Sequence, residues 1–400
     1  MATVLVISLS DLASDPRVDR QIDFLRAEHL VIAAGFGPPA YDDVEFVELA
    51  LVEPSASVRL VQRAIRLVTG LLRLHRLTSW SDGDQRRWRQ ALDGLGADAV
   101  VVNDAEALPL AFSVAGGAPV VFDAHEYAPS QFEAVWLWKL LAGPRMRWIC
   151  RRYLPRVAGM MTVSQGIAER YERDFGVESV VVTNAGRFQP LAPTEVGDPI
   201  RLVHFGWPAP QRRLEDTLAA MDFLDEHYRL DLLLAGPGPS GYLDHVRRRA
   251  AGDFRIRFLD PVPMREIPRF ANAYDIGVFL LPPQHTNQEF TLPNKFFEYI
   301  QGRIVPAIGP SPEMARIVRE WDCGIVAEDY TPEAFAAAIA GTSRARLAEL
   351  KENVDRAARE LGAERNRPIV LDVVARALGG APSSEGRPSL PSAGEARASR

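Results

Sequence analysis

One stretch decides the fold of this chain: IRLVHFGWPAPQRRLEDTLAAMDFLDEHYRLDLLLAGPG, at positions 200–238. An apolar run at Ile200–Phe205 is followed by a helical pattern at Leu214–Leu224 and by a second apolar run at Asp231–Ala235. A strand, a helix and a further strand in this order build a parallel sheet, because parallel strands need a long crossover connection. Strands that are apolar along their whole length are typical of a sheet covered by helices on both faces. We therefore predict a doubly wound α/β domain around this stretch.

The same alternation extends over most of the chain. Further strands are predicted at Thr3–Ser8, Leu30–Gly35, Ala97–Asn103, Pro119–Asp123, Met160–Val163, Ser179–Thr183, Ile256–Leu259, Ile276–Leu280, Ile304–Ile308 and Gly324–Val326. The 400 residues suffice for two to three domains, at ~150 residues each. We predict two Rossmann-like domains, 1–187 and 200–378, that face each other across a cleft. A Pro-rich linker at 188–199 joins them, and a disordered tail follows at 379–400.

The composition argues against several classes of protein. A net charge of −6 disfavours a dedicated nucleic-acid binder, which usually carries a dense basic surface. The two cysteines, Cys150 and Cys323, allow neither a disulfide framework nor a CxxC metal site, and they favour a reducing compartment. The chain opens with a predicted strand rather than a signal peptide, and no uncharged apolar run reaches the roughly 18 residues of a membrane span. We expect a cytoplasmic protein.

Polar residues that follow predicted strands in the first half are candidates for a site, since ligands of doubly wound sheets bind beyond the carboxyl ends of the strands. His125 and Glu126 follow one strand, and Asp104 follows another. Arg17 stands at the start of the first predicted helix, where a guanidinium can bind phosphate or carboxylate. The alternatives are a histidine hydrogen-bonded within its own loop and an arginine in a surface salt bridge.

The turns after strands in the second half carry features of an anion site. Gly206 allows a ligand to approach the backbone, and Arg212 lies close to a helix N-terminus, which attracts anions. Gly236 opens a second glycine-rich turn. The glycine fingerprints of dinucleotide-binding sites and of P-loops are both absent from the sequence.

The segment Leu292–Ile300, LPNKFFEYI, is the most informative single motif. Pro293 starts a predicted helix, and Lys295 and Glu298 share one face of it. An ammonium group at a helix start suits a diphosphate, and a carboxylate can accept hydrogen bonds from the two hydroxyls of a ribose. A surface ion pair is the alternative. The chain has only three lysines and otherwise uses arginine, so a lysine here favours a need for a compact charge.

In their order and spacing, the motifs resemble those of the GT-B glycosyltransferases, most closely the family 4-like group of retaining enzymes that use nucleotide sugars. The resemblance covers nearly the whole chain. The motifs that carry it are SDPRV (14–18), DAHE (123–126), VSQGI (163–167), GPG (236–238), FLDPVP (258–263), YDIGV (274–278), PNKFFEY (293–299) and GPSPEM (309–314).

The resemblance implies transfer of a sugar without a metal or cofactor. The co-substrate would be a nucleoside diphosphate sugar of the UDP or GDP type, and the acceptor a glycan, a lipid-linked or a small molecule. In the second domain, Arg212 and Lys295 would neutralise the diphosphate, Glu298 would hold the ribose, and the backbone around Val262 would contact the base. The implied donor-binding set is Gly206, Arg212, Gly236, Val262, Asn294, Lys295 and Glu298.

The first domain would by the same resemblance bind the acceptor. Its implied acceptor-binding residues are Arg17, Asp104 and Glu126, and its implied catalytic residue is His125, near the transferred sugar.

Glu289 is the second implied catalytic residue, and here the sequence departs from the family. The family's E-x7-E motif places an acid eight positions before Glu298, where this chain has Phe290. Asp82-Gly83-Asp84 spells DxD, but no strand precedes this polar loop, and we predict no metal site.

Two other functions remain open. A sugar-nucleotide 2-epimerase shares the fold and would isomerise the sugar nucleotide without an acceptor. A non-catalytic scaffold or binding subunit would keep the site without turnover, and the missing first acid of the motif leaves room for it.

Two basic, acid-free segments bear on location. They are Val58–Leu77, with five arginines, and Val135–Val157, with three tryptophans. Basic amphipathic helices with Trp are typical of membrane surfaces, so an anionic membrane, such as the inner face of the plasma membrane, is a predicted partner. The alternative is two ordinary domain helices, each with one packed face.

Overall fold

The computed structural model describes residues 1–52, 55–75, 83–131, 136–236, 238–239 and 241–379. The chain divides into two compact units. The first unit contains Met1–Thr183, His285–Asn287 and the segment that begins at Asn366, and the second contains Asn184–Gln284 and Gln288–Arg365. Apart from Gly379, the predicted tail at 379–400 lies outside the described residues.

The first unit contains a parallel sheet, which has seven strands within the described residues. Its strands are β1 (Thr3–Ile7), β2 (Leu30–Gly35), β3 (Glu45–Glu48), β4 (Ala99–Val102), β5 (Val120–Ala124), β6 (Gly159–Thr162) and β7 (Val180–Val181). Their order across the sheet is β3-β2-β1-β4-β5-β6-β7. The side chains of β1, β4 and β5 are almost entirely buried, which explains why their sequences are apolar throughout.

Helices flank this sheet. They are α1 (Pro16–Arg26), α2 (Ala56–Leu71), α3 (Gly83–Leu92), α4 (Leu108–Val114), α5 (Trp136–Tyr153) and α6 (Gln165–Phe175). The start of α1 follows from its sequence: the Asp15 carboxylate accepts hydrogen bonds from the backbone N–H groups of Arg17 and Val18, and Pro16 occupies the first helical position.

The second unit contains a parallel sheet of six strands within the described residues. The strands are β8 (Ile200–Gly206), β9 (Tyr228–Leu234), β10 (Ile256–Leu259), β11 (Ile276–Phe279), β12 (Val305–Ile308) and β13 (Ile325–Val326), in the order β10-β9-β8-β11-β12-β13. Its helices are α7 (Leu214–Ala220), α8 (Tyr242–Ala250), α9 (Ile267–Ala271), α10 (Thr286–Glu289), α11 (Asn294–Gln301), α12 (Pro312–Trp321), α13 (Pro332–Ala340) and α14 (Arg344–Glu360). Residues Thr286 and Asn287 at the start of α10 belong by their contacts to the first unit.

The last helix, α15 (Asn366–Ala377), belongs to the first unit, whereas the sequence placed residues 200–378 in the second domain. It packs against α1, β5 and β6. Gly159 in β6 makes room for it, because a Cβ there would lie 2.9 Å from Cγ1 of Val373. Asn366 donates from Nδ2 to the carbonyl oxygen of Thr183 over 2.9 Å. The helix thus completes the core of the unit that begins the chain.

Candidate active site

Three predicted site residues and one neighbour, Asn103, lie together beyond the carboxyl ends of two strands of the first sheet. Asn103 and Asp104 follow β4, while His125 and Glu126 follow β5. The two strands pair in parallel, with Val102 beside Phe122, so their carboxyl ends lie together. We call Asn103, Asp104, His125 and Glu126 the histidine cluster.

The guanidinium of Arg17, a predicted acceptor-binding residue, lies in the interior of the unit, and its acceptor-binding role stays a prediction. Nε and Nη2 donate to the two carboxylate oxygens of Asp123, over 3.0 and 2.5 Å, and Nη1 donates to the carbonyl oxygen of Val182 over 2.6 Å. Both Arg17 and Asp123 are buried. A bidentate pair of this kind fixes two side chains in one geometry. Arg17 therefore positions Asp123 at the end of β5.

A chain of side-chain hydrogen bonds leads from Asp123 to His125. Gln21 donates from Nε2 to Asp123 over 2.9 Å, and its Oε1 accepts from Nδ2 of Asn103 over 2.9 Å. The Asn103 Oδ1 atom lies 3.1 Å from Nε2 of His125. The ionised carboxylate only accepts, so it fixes the orientation of both amides, and Nε2 of His125 must be the donor. In the tautomer that this contact selects, Nδ1 is the acceptor of the ring.

The two carboxylates of the histidine cluster differ in environment. Asp104 accepts at Oδ2 from the backbone N–H of Leu9 over 2.6 Å and from the Ser8 hydroxyl over 3.3 Å, so it holds the loop after β1. Burial and the nearby charge of Asp104 raise the pKa of Glu126 to about 7. Glu126 can therefore hold or release a proton near neutral pH. The acceptor-binding role of both residues stays a prediction.

Asn287 contacts the same segment and was not predicted. Its Nδ2 donates to Oε2 of Glu126 over 3.2 Å, and its Oδ1 accepts from the backbone N–H of Tyr127 over 2.8 Å. The sequence offered no signal for this contact, because Asn287 lies about 160 positions further along the chain and in no recognisable motif.

In the second unit, Lys295 lies against the end of β8. Gly206 has a φ of +151°, and a Cβ there would lie 2.8 Å from Nζ of Lys295. The ammonium group donates to Nε2 of His204 over 3.3 Å. His204 in turn donates from Nδ1 to the carbonyl oxygen of Val278 over 3.0 Å, which leaves Nε2 as an acceptor. His204 therefore positions the lysine without neutralising it.

Opposing charges surround this ammonium group. Removal from solvent and the positive charge of Arg212 lower the pKa of Lys295 to about 7, while the charge of Glu298 acts in the opposite direction. Burial and the charge of Lys295 hold the pKa of His204 well below its usual range, so the imidazole stays neutral. We call Gly206, Arg212, Lys295 and Glu298 the lysine cluster. It combines two cations and one carboxylate beside an open stretch of backbone.

The remaining predicted donor residues also lie in the second unit, and Gly236 and Val262 come after strands of its sheet. Asn294 is the first residue of α11, one position after the predicted helix start at Pro293. Gly236 follows β9 with a φ of +85°, close to Trp207, and the Val262 side chain packs against the core. Their contacts with a donor stay predictions.

Glu289, the second predicted catalytic residue, is exposed at the end of α10. Burial of the ring and the charge of Glu289 raise the pKa of Tyr330. Glu289 and His125 belong to different units. The catalytic role of both residues stays a prediction.

Gln288 was not predicted, yet it ties the segment before α11 to the lysine cluster. It is buried, its Nε2 donates to the carbonyl oxygen of Gln211 over 3.1 Å, and its Oε1 accepts from the N–H of Gln284 over 2.7 Å. Gln211 directly precedes Arg212. The described part of the chain brings no three His, Cys, Asp or Glu side chains together as a metal site.

Comparisons with known proteins give two family matches. The model of Glycosyltransferase Family 4 matches residues 25–186, and that of Glycosyl transferases group 1 matches residues 199–344. Together they span about three quarters of the chain. A sequence search of curated proteins gives no match.

Solved structures share the fold at low sequence identity. A sucrose-phosphate synthase from Thermosynechococcus elongatus superposes with a TM-score of 0.71 at 11% identity, over 95% of this chain and 100% of that one. HepE from Anabaena in complex with UDP gives 0.66 at 11% identity, over 94% and 100%. An Escherichia coli protein described as trehalose-6-phosphate bound with UDP-2-fluoro glucose gives 0.66 at 11%, over 95% and 99%.

Two doubly wound α/β units, matched along the chain by the two glycosyltransferase models, give the same assignment as the sequence motifs. The chain belongs to the family 4-like group of GT-B glycosyltransferases, enzymes that transfer a sugar from a nucleotide sugar.

Proposed function

We propose that the protein transfers a sugar from a nucleoside diphosphate sugar of the UDP or GDP type to a hydroxyl group of a glycan or lipid-linked acceptor, retaining the anomeric configuration and using no metal. The observation that carries the proposal is the lysine cluster, in which Lys295 lies beside Gly206 with its charge unneutralised by His204. UDP and a UDP-sugar occupy solved structures of similar fold, which supports a uridine donor.

The lysine cluster suits a diphosphate leaving group. When the bond between the anomeric carbon and the diphosphate oxygen breaks, negative charge grows on that oxygen. Preorganised cations stabilise such charge without reorganisation at the moment of reaction. Lys295 in the first turn of α11 and Arg212 in the turn before α7 would supply them, and Glu298 would accept hydrogen bonds from the ribose.

The histidine cluster suits the acceptor side of the reaction. The acceptor oxygen forms the new bond to the anomeric carbon and loses its proton. Glu126, with a pKa of about 7, can take up a proton at neutral pH, and the tautomer of His125 leaves Nδ1 free to accept a hydrogen bond from a sugar hydroxyl. Glu289 would contact the donor sugar.

A thermal-shift panel of UDP, GDP, ADP and their sugars, with and without EDTA, tests the donor. A ligand at 100 times its Kd stabilises by about 2.7 kcal/mol, so the true base stands out. The products formed with a glycan acceptor then decide the reaction. An isomerised sugar nucleotide without acceptor would indicate an epimerase, and donor binding without turnover a scaffold. Loss of the shift in EDTA would contradict metal independence.

We also propose that α2 contacts an anionic membrane. One face of α2 packs on α5, where a Cβ on Gly70 would lie 3.0 Å from Leu141. The opposite side carries exposed apolar residues: Leu60 is 73%, Leu71 56% and the following Leu72 63% exposed. Contiguous exposed apolar surface marks an interaction site, and the arginines of Val58–Leu77 favour an anionic one. No helix in the described part of the chain is long and apolar enough to cross a membrane.

Sedimentation with vesicles tests this contact. Replacing Arg59, Arg63 and Arg66 with Gln should reduce binding to anionic vesicles, and high salt should do the same. The matched control replaces Arg247, Arg248 and Arg249 in α8 with Gln, which changes the net charge equally. Equal sedimentation with neutral vesicles, or none with either, would leave α2 an ordinary domain helix and favour a soluble acceptor.

A further inference from the structure

A cavity of about 690 Å³ lies in the first unit, between α5 and the turn that follows α2. Four cationic side chains line it: Arg73, Lys139, Arg147 and Arg151. Trp138 and Trp148 form part of its wall. We call it the basic cavity.

The four cations of the basic cavity have no acidic partner among the described residues, although ion pairs involve many arginines elsewhere in this part of the chain. An adjoining cavity of about 420 Å³ shares Arg147 and Arg151 and adds Arg170 and Arg173, which both pair with Asp174. The described residues that line the two cavities thus include six cationic side chains and one carboxylate, that of Asp174. Such an excess suits a ligand with more than one negative charge, and phosphate groups match both arginine and lysine.

The wall of the basic cavity is not uniformly polar. His75 is buried there, with its ring centre 6.2 Å from that of Trp148. Burial and the charges of Arg145 and Arg73 lower the pKa of His75, so the ring remains neutral at neutral pH. Together with Gly143 and Pro144, these rings offer apolar surface next to the cations. An anion with an apolar part uses both kinds of surface.

Exposed leucines continue this apolar surface outside the cavity. Leu72 and Leu74, 63% and 44% exposed, flank Arg73, and Leu140, 49% exposed, follows Lys139. A small soluble phosphate would gain nothing from them. A hydrocarbon chain attached to the phosphate would cover them.

The basic cavity is close in sequence to the histidine cluster. Glu126 is followed by Tyr127, which lines the adjoining cavity, and by Pro129, which lines the basic cavity. Both belong to the first unit, to which we assign the acceptor.

From these observations, we propose that the basic cavity binds the phosphate or diphosphate group of an amphiphilic acceptor, whose hydrocarbon chain lies over the exposed leucines. The proposal rests on the glycosyltransferase function given above, because it names the class of acceptor: a sugar-bearing or free lipid phosphate. The proposed binding uses no residue of the lysine cluster.

Calorimetric titration of the full chain with decyl diphosphate, below its micelle concentration and with UDP at saturation, tests the proposal. Saturating UDP keeps the probe out of the nucleotide site. Decyl diphosphate should bind at least tenfold more tightly than inorganic diphosphate or decanol. Equally tight binding of inorganic diphosphate would show a site for a free anion, and equally tight binding of decanol a purely apolar site; either would overturn the proposal.

Variants locate the binding. The double variant Arg147→Gln with Arg151→Gln should weaken binding of decyl diphosphate at least tenfold. The double variant Arg73→Gln with Lys139→Gln should do the same, since Arg73 lies in the turn after α2 and Lys139 lies in α5. The matched control is Arg86→Gln with Arg152→Gln: both side chains are exposed, neither lines a cavity described above, and the charge change is the same. An equal loss in the control would overturn the proposal. Lys295→Ala should weaken UDP binding at least tenfold and leave decyl diphosphate binding unchanged, so failure of the donor assignment is seen separately.

Discussion

Oδ1 of Asn103 accepts a hydrogen bond from Nε2 of His125 over 3.1 Å, so an amide and not the solvent decides which ring nitrogen carries the proton. The amide takes its own orientation from Gln21, and Gln21 takes its orientation from Asp123. A carboxylate at the end of β5 thus controls a ring two positions further along the chain.

His125→Ala should lower kcat and kcat/KM together, by about tenfold or more, and leave donor affinity almost unchanged. The reason is that a contact made in the transition state affects both constants, at roughly 1.4 kcal/mol for each factor of ten. Steady-state kinetics and a donor titration on the same variant measure this. A change confined to donor affinity would make His125 a binding residue.

Gln21→Met should release the tautomer of His125, because it removes both hydrogen bonds of Gln21 with a side chain of similar length. Nitrogen NMR of the imidazole should change from one tautomer to a mixture, with kcat reduced and KM for the donor retained. Thr162→Val is the control, since it removes a buried hydrogen bond to the carbonyl oxygen of Ala124 outside this chain of contacts. Both variants should lose about 1 kcal/mol of unfolding free energy. An unchanged NMR spectrum in Gln21→Met would refute the relay.

Lys295→Ala and Glu298→Gln should each weaken binding of the nucleotide sugar by roughly 10- to 100-fold, because a charge-assisted hydrogen bond contributes about 1.5–3 kcal/mol. The fold should persist, which circular dichroism checks. Lys351→Ala is a contrasting variant: that lysine is buried against Asp275 and Thr194. It should lose stability, with donor affinity kept in the folded fraction. Unchanged affinity in both cluster variants would remove the donor site from α11.

Donor affinity should fall as the pH rises from 7 to 9. The pKa of Lys295 is about 7 in the free protein, so its ammonium form, which attracts the diphosphate, is lost above that pH. The diphosphate of a nucleotide sugar is esterified at both ends and has only strongly acidic protons, so its charge does not change in this range. Above pH 7, the Lys295 amine must take up a proton from solution when the donor binds. The Kd should therefore rise by up to about tenfold per pH unit. Lys295→Ala should show a flat profile; a wild-type profile that is equally flat would contradict the lowered pKa.

Gly206→Ala should weaken donor binding, because its Cβ would lie 2.8 Å from the Lys295 ammonium. Gly252→Ala is matched, since Gly252 also has a positive φ, at +91°, but a Cβ there meets nothing within 4 Å. Both variants carry backbone strain of roughly 1–3 kcal/mol. Donor titration separates them: only Gly206→Ala should lose affinity, and equal affinities would show that the lysine moves aside freely.

Much of the fold was readable from local patterns. The stretch at 200–238 folds as its apolar spacing predicts, with β8 at Ile200–Gly206 and α7 starting at Leu214. The helix of the PNKFFEY motif begins at Asn294, one residue after its predicted start at Pro293. β3 at Glu45–Glu48 was missed because it is short, only partly buried and begins and ends with a glutamate. Local periodicity suffices where a segment is long and buried, and fails at the edge of a sheet.

The site was less predictable, because its contacts join distant parts of the chain. His204 lies inside a strand whose neighbours are apolar, so its sequence context indicates the core and not a partner for Lys295. Arg17 has the helix-start position of an anion ligand, yet the carboxylate it binds is Asp123 of its own unit. Which charged partner a side chain contacts becomes visible only in the folded structure.

The return of α15 to the first unit has a consequence for synthesis of the protein. Residues that pack on α1, β5 and β6 leave the ribosome only after the whole second unit. Until then the side of β6 at which Gly159 contacts Val373 lacks α15. The first unit therefore completes its fold only after the second unit has been made. A chain cut after residue 344, where the family matches end, would contain both sheets, but the first sheet would lack α15 and leave an apolar face uncovered.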